Sequence, residues 1–176
     1  MRITLSGPPG SGKTTVAKLL SSAMNYPLIS GGEIFRKMAM VRDMDLVEFS
    51  KYAEANPDID FKVDNEIVRL ALNMENVIVD ARLGGWMLHK NGIDAFKVYI
   101  TATPEIRAKR IQQRDGGNFK SVLSAMLIRE ESERRRYREL YNVNYDNLDI
   151  YELVINSDIM LPDEIVHRIL DVIGWK

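Results

Sequence analysis

Cysteine is absent from this 176-residue chain, which excludes disulfides and thiolate metal sites. Histidine is scarce: only His89 and His167 occur, both in ordinary contexts and both read as structural. An excess of one charge is missing as well. Against 24 Lys and Arg stand 25 Asp and Glu, a net charge of −1 that argues against a general nucleic-acid or membrane-surface binder. No apolar run approaches the length of a membrane span. The first strand is expected to begin directly after Met1, which leaves no room for a signal peptide, so a cytoplasmic location is expected. Internal repeats, linkers and low-complexity stretches are also lacking. What is present, 45% hydrophobic and 28% charged residues, is ordinary for one globular domain over residues 1–176, with the nine methionines as core filler.

The hydrophobic pattern alternates strand and helix. Short apolar runs at Arg2 to Ser6, Tyr26 to Ser30, Val77 to Asp80, Phe96 to Thr101 and Leu153 to Ile155 predict five strands. Helical spacing is read over Lys13 to Ala23, Glu33 to Arg42, Leu46 to Ala55, Phe61 to Asn73, Pro104 to about Arg114, Phe119 to about Tyr141, and Pro162 to Ile173. Asp60 and Thr103 are the expected N-caps of the fourth and fifth of these, and Gly84-Gly85-Trp86 is expected to end a loop. Val77-Ile78-Val79-Asp80, continuously apolar and closed by an acid, has the form of a parallel strand buried on both faces. The expected architecture is therefore α/β, a three-layer parallel five-stranded sheet with helices on both faces. Charge is unevenly spread along it: Asp43 to Glu66 is acid-rich and Arg107 to Arg138 is arginine-rich, as if two appendages sat on one core.

The first strand runs into Gly7-Pro8-Pro9-Gly10-Ser11-Gly12-Lys13-Thr14, which fits the phosphate-binding pattern G-x-x-x-x-G-K-[ST]. Glycines let the backbone wrap around a polyphosphate with its N–H groups inward, and the following helix directs its positive end at the same anion. Lys13 is placed to reach the β- and γ-phosphates, and the Thr14 hydroxyl to hold Mg²⁺. The pattern specifies a ligand but not a reaction. No Asn-Lys-x-Asp stretch reads guanine, and the chain is short for an oligomeric motor, which leaves a kinase with a small acceptor as the favoured class.

Three arginine-bearing stretches refine this. Ser30-Gly31-Gly32-Glu33-Ile34-Phe35-Arg36 follows the second strand, and Val79-Asp80-Ala81-Arg82-Leu83-Gly84-Gly85-Trp86 closes the third. Ligands of open α/β sheets bind at the carboxyl ends of strands, where two guanidinium groups can clamp a phosphate monoester. In Arg129-Glu130-Glu131-Ser132-Glu133-Arg134-Arg135-Arg136, the residues Arg129, Glu133 and Arg136 stand at i, i+4 and i+7, on one helix face within about 40°. Arg134, Arg135 and Arg138 point elsewhere, toward solvent or nearby glutamates, while Arg107, Arg110 and Arg114 share a face of the preceding helix.

These segments together resemble the nucleoside-monophosphate kinases, and among them the short archaeal-type cytidylate kinases. The resemblance spans essentially the whole chain through GPPGSGKTT, SGGEIFR, VDARLGGW, TPEIRAKRIQQRD, REESERRRY and YELVINSD, in that order. It implies a P-loop NTPase fold of the nucleotide-kinase kind and transfer of a phosphoryl group from Mg·ATP to CMP, and to dCMP, in a monomeric enzyme. ATP would lie on Gly7, Pro8, Pro9, Gly10, Ser11, Gly12, Lys13, Thr14 and Thr15. Arg36 and Arg82 would grip the acceptor phosphate, with Arg129, Glu133 and Arg136 near its ribose and base. Arg110 and Arg114, with Lys13 and Arg129, would act on the transferred group, and Asp80 would hold the metal through water. Residues 31–73 would form the acceptor-binding insert and residues 110–138 a mobile lid, with Gly84-Gly85 and Gly116-Gly117 as flexing points.

Some residues depart from the family's pattern. Leu83 stands where bacterial cytidylate kinases carry an acid, Gly31 lacks the hydroxyl that related kinases often have, and Glu133 replaces a shorter Asp. Asp64 either faces the acceptor or is a solvated helix acid. An adenylate-type acceptor, another small acceptor, and a nucleotide-binding switch with slow ATP hydrolysis are the alternatives to CMP.

Overall fold

The computed structural model describes residues 1–175. Five strands form one sheet: β1 (Arg2–Ser6), β2 (Leu28–Ser30), β3 (Val77–Asp80), β4 (Phe96–Thr101) and β5 (Leu153–Asn156). They lie in the order β2-β3-β1-β4-β5, and every pairing is parallel. Eight helices connect and cover them: α1 (Lys13–Met24), α2 (Gly31–Met40), α3 (Leu46–Ala55), α4 (Asp58–Leu72), α5 (Gly84–Lys90), α6 (Pro104–Asp115), α7 (Phe119–Tyr141) and α8 (Pro162–Ile173).

The period-2 side-chain alternation of the strands builds two cores. Ile3, Leu5, Ile78, Val98 and Ile100 face one side and pack with Val16 and Leu20 of α1 and Ile165 and Ile169 of α8. Ile29, Val77 and Val79 face the other side and meet Ile67, Val68 and Ala71 of α4, Leu88 of α5 and Tyr137 of α7. A smaller cluster of Ala39, Phe49, Ala53 and Ile59 holds α2, α3 and α4 together. The chain leaves β1 toward β2 on one side of the sheet, and after β3 it crosses β1 to reach β4 on the other. That reversal beside β1 opens a crevice at the strands' carboxyl ends, where the loop after β1 lies.

Several local expectations are corrected. β2 starts at Leu28 rather than Tyr26. α4 begins at Asp58, with Pro57 in the cap position, so Asp60 lies inside the first turn and its carboxylate serves Arg136 instead. Thr103 makes no side-chain cap; its backbone N–H donates to the Asp158 carboxylate at 2.9 Å. The stretch expected to end a loop at Gly84-Gly85-Trp86 is the start of α5. Gly84 and Gly85 are buried there, and a Cβ on Gly85 would sit 2.6 Å from the Tyr151 ring, so Gly85 serves close packing. Methionine is only partly core: Met24, Met87 and Met126 are buried, whereas Met40 is exposed.

Candidate active site

The loop from Gly7 to Gly12 has a shape that only glycine permits at its tightest points. Gly7 has φ +141°, and a Cβ there would lie 2.1 Å from the Ile100 carbonyl oxygen. Gly10 has φ +78° and sits under the Arg107 backbone, 2.7 Å from its oxygen to a built Cβ. The loop's carbonyls are tied outward. Arg107 donates to Pro9 O at 3.2 Å, Arg110 to Gly10 O at 3.3 Å, and the Ser157 hydroxyl to Ser11 O at 2.8 Å. Gly12, the N-cap of α1, offers no side-chain cap, and no acid stands in the first turn. The first-turn N–H groups therefore suit an anion.

Lys13 opens α1 inside this cradle. Burial of its ammonium lowers the pKa from 10.5 to about 8; Asp80 opposes the shift, while the positive charges of Arg82, Arg129 and Arg114 add to it. The lysine thus shares its surroundings with three arginines from β3's end, α7 and α6. Thr14 Oγ1 donates to Asp80 Oδ2 at 2.7 Å, and Asp80 is 4% exposed. A hydroxyl beside a carboxylate suits a small hard cation that completes its shell with water and phosphate oxygens. Thr15 is exposed on the same first turn.

Arg82 forms an ion pair with Glu133, and Arg129 Nε donates to the same carboxylate at 3.0 Å. Glu133, buried, holds the two guanidinium groups side by side. The positive charge of Arg82 beside it, followed by partial desolvation, lowers the Arg129 pKa to about 10, although about half of its side chain is exposed (49%). Arg136 turns to the acid-rich segment instead: Nε donates to Asp60 Oδ2 at 2.8 Å and Nη1 to Ser132 Oγ at 2.7 Å. Arg36 is exposed on α2, its Nη1 3.6 Å from a Cβ built on Gly32, with no hydrogen-bond partner among the described residues. A Cβ on Gly31 would lie 3.2 Å from Ile67 Cδ1, so a hydroxyl-bearing side chain there would have to displace that methyl by a few tenths of an ångström.

The three arginines read on one face of α6 have different tasks. Arg107 is buried and makes a bidentate pair with Glu130 at 2.6 and 3.2 Å. Arg110 lies against Gly10 and Ser157, and Arg114 is exposed and paired with Asp115 at 2.6 Å. The brace formed by Arg107, Glu130 and Ser157 is not evident from the sequence. Its one signal there is an arginine three residues before Arg110, on the side that meets the loop. Tyr141 is a second addition from the structure; its hydroxyl donates to Asp64 Oδ2 at 2.7 Å. Burial and the neighbouring Asp60 raise the Asp64 pKa from 3.8 to about 7, against the effect of that hydrogen bond. His89 and His167 are both exposed. A cavity of about 520 Å³ between Glu131, Arg134, Arg135, Arg138, Glu139 and Asp146 involves none of the converging residues.

The sequence model of the cytidylate kinase-like family matches residues 2–159. A cytidylate kinase of Archaeoglobus fulgidus is 42% identical over 176 residues, spanning 100% of this chain and 96% of that protein. One from Sulfurisphaera tokodaii is 44% identical over 165 residues, covering 94% and 91%. Among solved structures, an uncharacterized protein from Eubacterium ventriosum aligns with TM-score 0.73 at 21% identity, over 100% of this chain and 99% of that one. A shikimate kinase from Bacteroides thetaiotaomicron aligns with TM-score 0.65 at 15% identity, over 99% and 98%. At such identities these two structures speak to the fold alone. Among the described residues, no helix is long and apolar enough to cross a membrane.

Proposed function

The chain belongs to the cytidylate kinase-like family, and from that premise we propose that it transfers the γ-phosphoryl group of ATP to CMP, and to dCMP, giving ADP and CDP or dCDP. The observation that carries the reading is the convergence of Lys13, Arg82 and Arg129 beside a glycine-lined loop, with Glu133 between the two arginines.

The donor triphosphate lies in the loop, against the inward N–H groups and the first turn of α1. Lys13 bridges its β- and γ-phosphates. Arg82 and Arg129 receive the acceptor's phosphate, and Arg36 folds onto it from α2. The acceptor needs no side-chain base, because a phosphate monoester has a second pKa of about 6 and is already a dianion at pH 7. Catalysis is then in-line positioning and neutralisation of the charge that spreads over the transferred group. Thr14, and Asp80 through water, would hold Mg²⁺, which supplies charge neutralisation on the phosphate oxygens. Residues 31–73 serve as the acceptor-binding insert and residues 110–138 as the lid, and the Arg136–Asp60 pair links them. Arg110 and Arg114 act from the lid, and Arg136 from the acceptor's side. A monomer working in the cytoplasm completes the proposal.

The test is ADP formation from Mg·ATP with CMP, dCMP, UMP, AMP, GMP or no acceptor, followed by a coupled assay. CMP and dCMP should stand above the rest. A rate independent of any acceptor would identify an ATPase instead, and AMP as the best acceptor would reassign the base.

A further inference from the structure

Asp64 has no part in phosphoryl transfer, yet its setting is not that of a solvated helix acid. It stands on α4 one turn after Asp60, facing α7. Its Oδ2 is taken by the Tyr141 hydroxyl at 2.7 Å, whereas Oδ1 has no hydrogen-bond partner among the described residues. The Tyr141 ring stacks near Phe61, centroids 6.3 Å apart at 17°, and near Tyr137 at 6.5 Å and 28°. Asp60 beside it is already committed to Arg136.

The position of this group along α7 gives it meaning. Arg129, Glu133, Tyr137 and Tyr141 follow one another at four-residue steps, each the neighbour of the next on the helix surface. The row starts at the Arg82–Glu133–Arg129 group and ends, about 12 Å beyond Glu133, at Tyr141 and Asp64. A nucleoside monophosphate has the same polarity, with an anion at one end and a hydrogen-bonding base at the other. Leu83, which follows Arg82, is 1% exposed and has no polar side-chain atom to offer a base.

We propose that Asp64, oriented by Tyr141, is the specificity residue for the acceptor base: its free Oδ1 accepts an N–H of the exocyclic amine of a 4-aminopyrimidine. Uracil presents a carbonyl oxygen at that point, and two acceptors then face each other with no hydrogen between them. Carboxylate acceptance from this amine is an established mode of cytosine recognition. Burial and the neighbouring Asp60 raise the pKa of this carboxyl, and a donor on Oδ1 would favour its carboxylate form.

This inference rests on the CMP kinase reading, and its test separates the two. Values of kcat/KM for CMP and UMP are measured for the wild type and for Asp64→Asn, whose amide can turn a donor toward uracil. The CMP-to-UMP ratio should fall about tenfold to a hundredfold, with the KM for ATP unchanged. A wild type inactive with CMP overturns the function and this inference with it. An active wild type whose ratio Asp64→Asn leaves unmoved overturns the inference alone. Should Asp64→Asn fail to fold, Tyr141→Phe keeps the carboxylate but removes its orienting donor. It should raise the KM for CMP severalfold at constant kcat and constant KM for ATP, and an unchanged KM for CMP would overturn the assignment.

Discussion

Protonation of Lys13 couples ATP binding to pH in a way that calorimetry can count. In the free protein the ammonium titrates at about 8 rather than 10.5, mainly because it is buried and because Arg82, Arg129 and Arg114 crowd it. That displacement corresponds to about 3 kcal/mol against the charged form. A single negative charge at about 4 Å contributes roughly 4 kcal/mol at an effective dielectric constant of 20, so the β- and γ-phosphates suffice to restore the proton. At pH 8 half of the free lysines are neutral, and binding of Mg·ATP should take up about half a proton per site. At pH 6.5 the uptake should shrink to a few hundredths of a proton, on the order of 0.03. The assay is isothermal titration calorimetry in buffers of different ionisation enthalpy at matched pH, where the slope of observed heat against buffer enthalpy is the proton count. Lys13→Met should remove the slope at pH 8. A wild-type slope of zero at pH 8, or an equal slope in Lys13→Met, would refute the placement of this lysine on the phosphates.

Other consequences follow from the same geometry. Arg82→Ala should raise the KM for CMP roughly tenfold to a hundredfold and leave that for ATP nearly unchanged, since one charge-assisted contact contributes about 1.5–3 kcal/mol; equal effects on both substrates in steady-state kinetics would place Arg82 elsewhere. Gly7→Ala, whose methyl would meet the Ile100 carbonyl oxygen at 2.1 Å, should abolish the thermal shift produced by Mg·ATP, and a retained shift would refute the tight loop. Arg107→Met strands the buried Glu130 carboxylate and should cost about 3–5 kcal/mol, or roughly 10 °C in melting temperature, with much of it recovered in Arg107→Met/Glu130→Leu. Asp64, whose folded pKa of about 7 lies above its ordinary 3.8, binds a proton that the unfolded chain releases between those values. Its contribution is present in full below the lower value and is lost as pH rises through the higher one, by at most about 4 kcal/mol. Urea titrations should show stability falling over that interval, and Asp64→Asn should flatten the slope.

Features written over a few consecutive residues are legible in the chain's local pattern. The loop at Gly7 to Thr14 is recognisable because phosphate binding there uses backbone N–H groups and needs only glycine, one lysine and one hydroxyl in a row. The parallel sheet is legible from unbroken apolar runs such as Val77 to Val79, and α7 from its helical spacing over Phe119 to Tyr141. Local pattern misleads where packing overrides local preference. Gly84 and Gly85 look like a flexible stop, but they open a helix, and Tyr151, distant in sequence, leaves no space for a side chain on Gly85.

The sequence by itself determined the fold class, the anion cradle and the supply of arginines, because each of these depends on short-range pattern. Only the tertiary structure decided which arginine does what. Arg107 and Arg110 have the same local context, yet one is paired with Glu130 and the other with Ser157. Arg82 and Arg129 meet on Glu133 only because β3 and α7 are brought side by side. The pairing of Asp64 with Tyr141, 77 positions along the chain, is of the same kind. A charged side chain takes its role from the opposite charges and the burial that folding puts around it, and these come from parts of the chain that its neighbours in sequence do not specify.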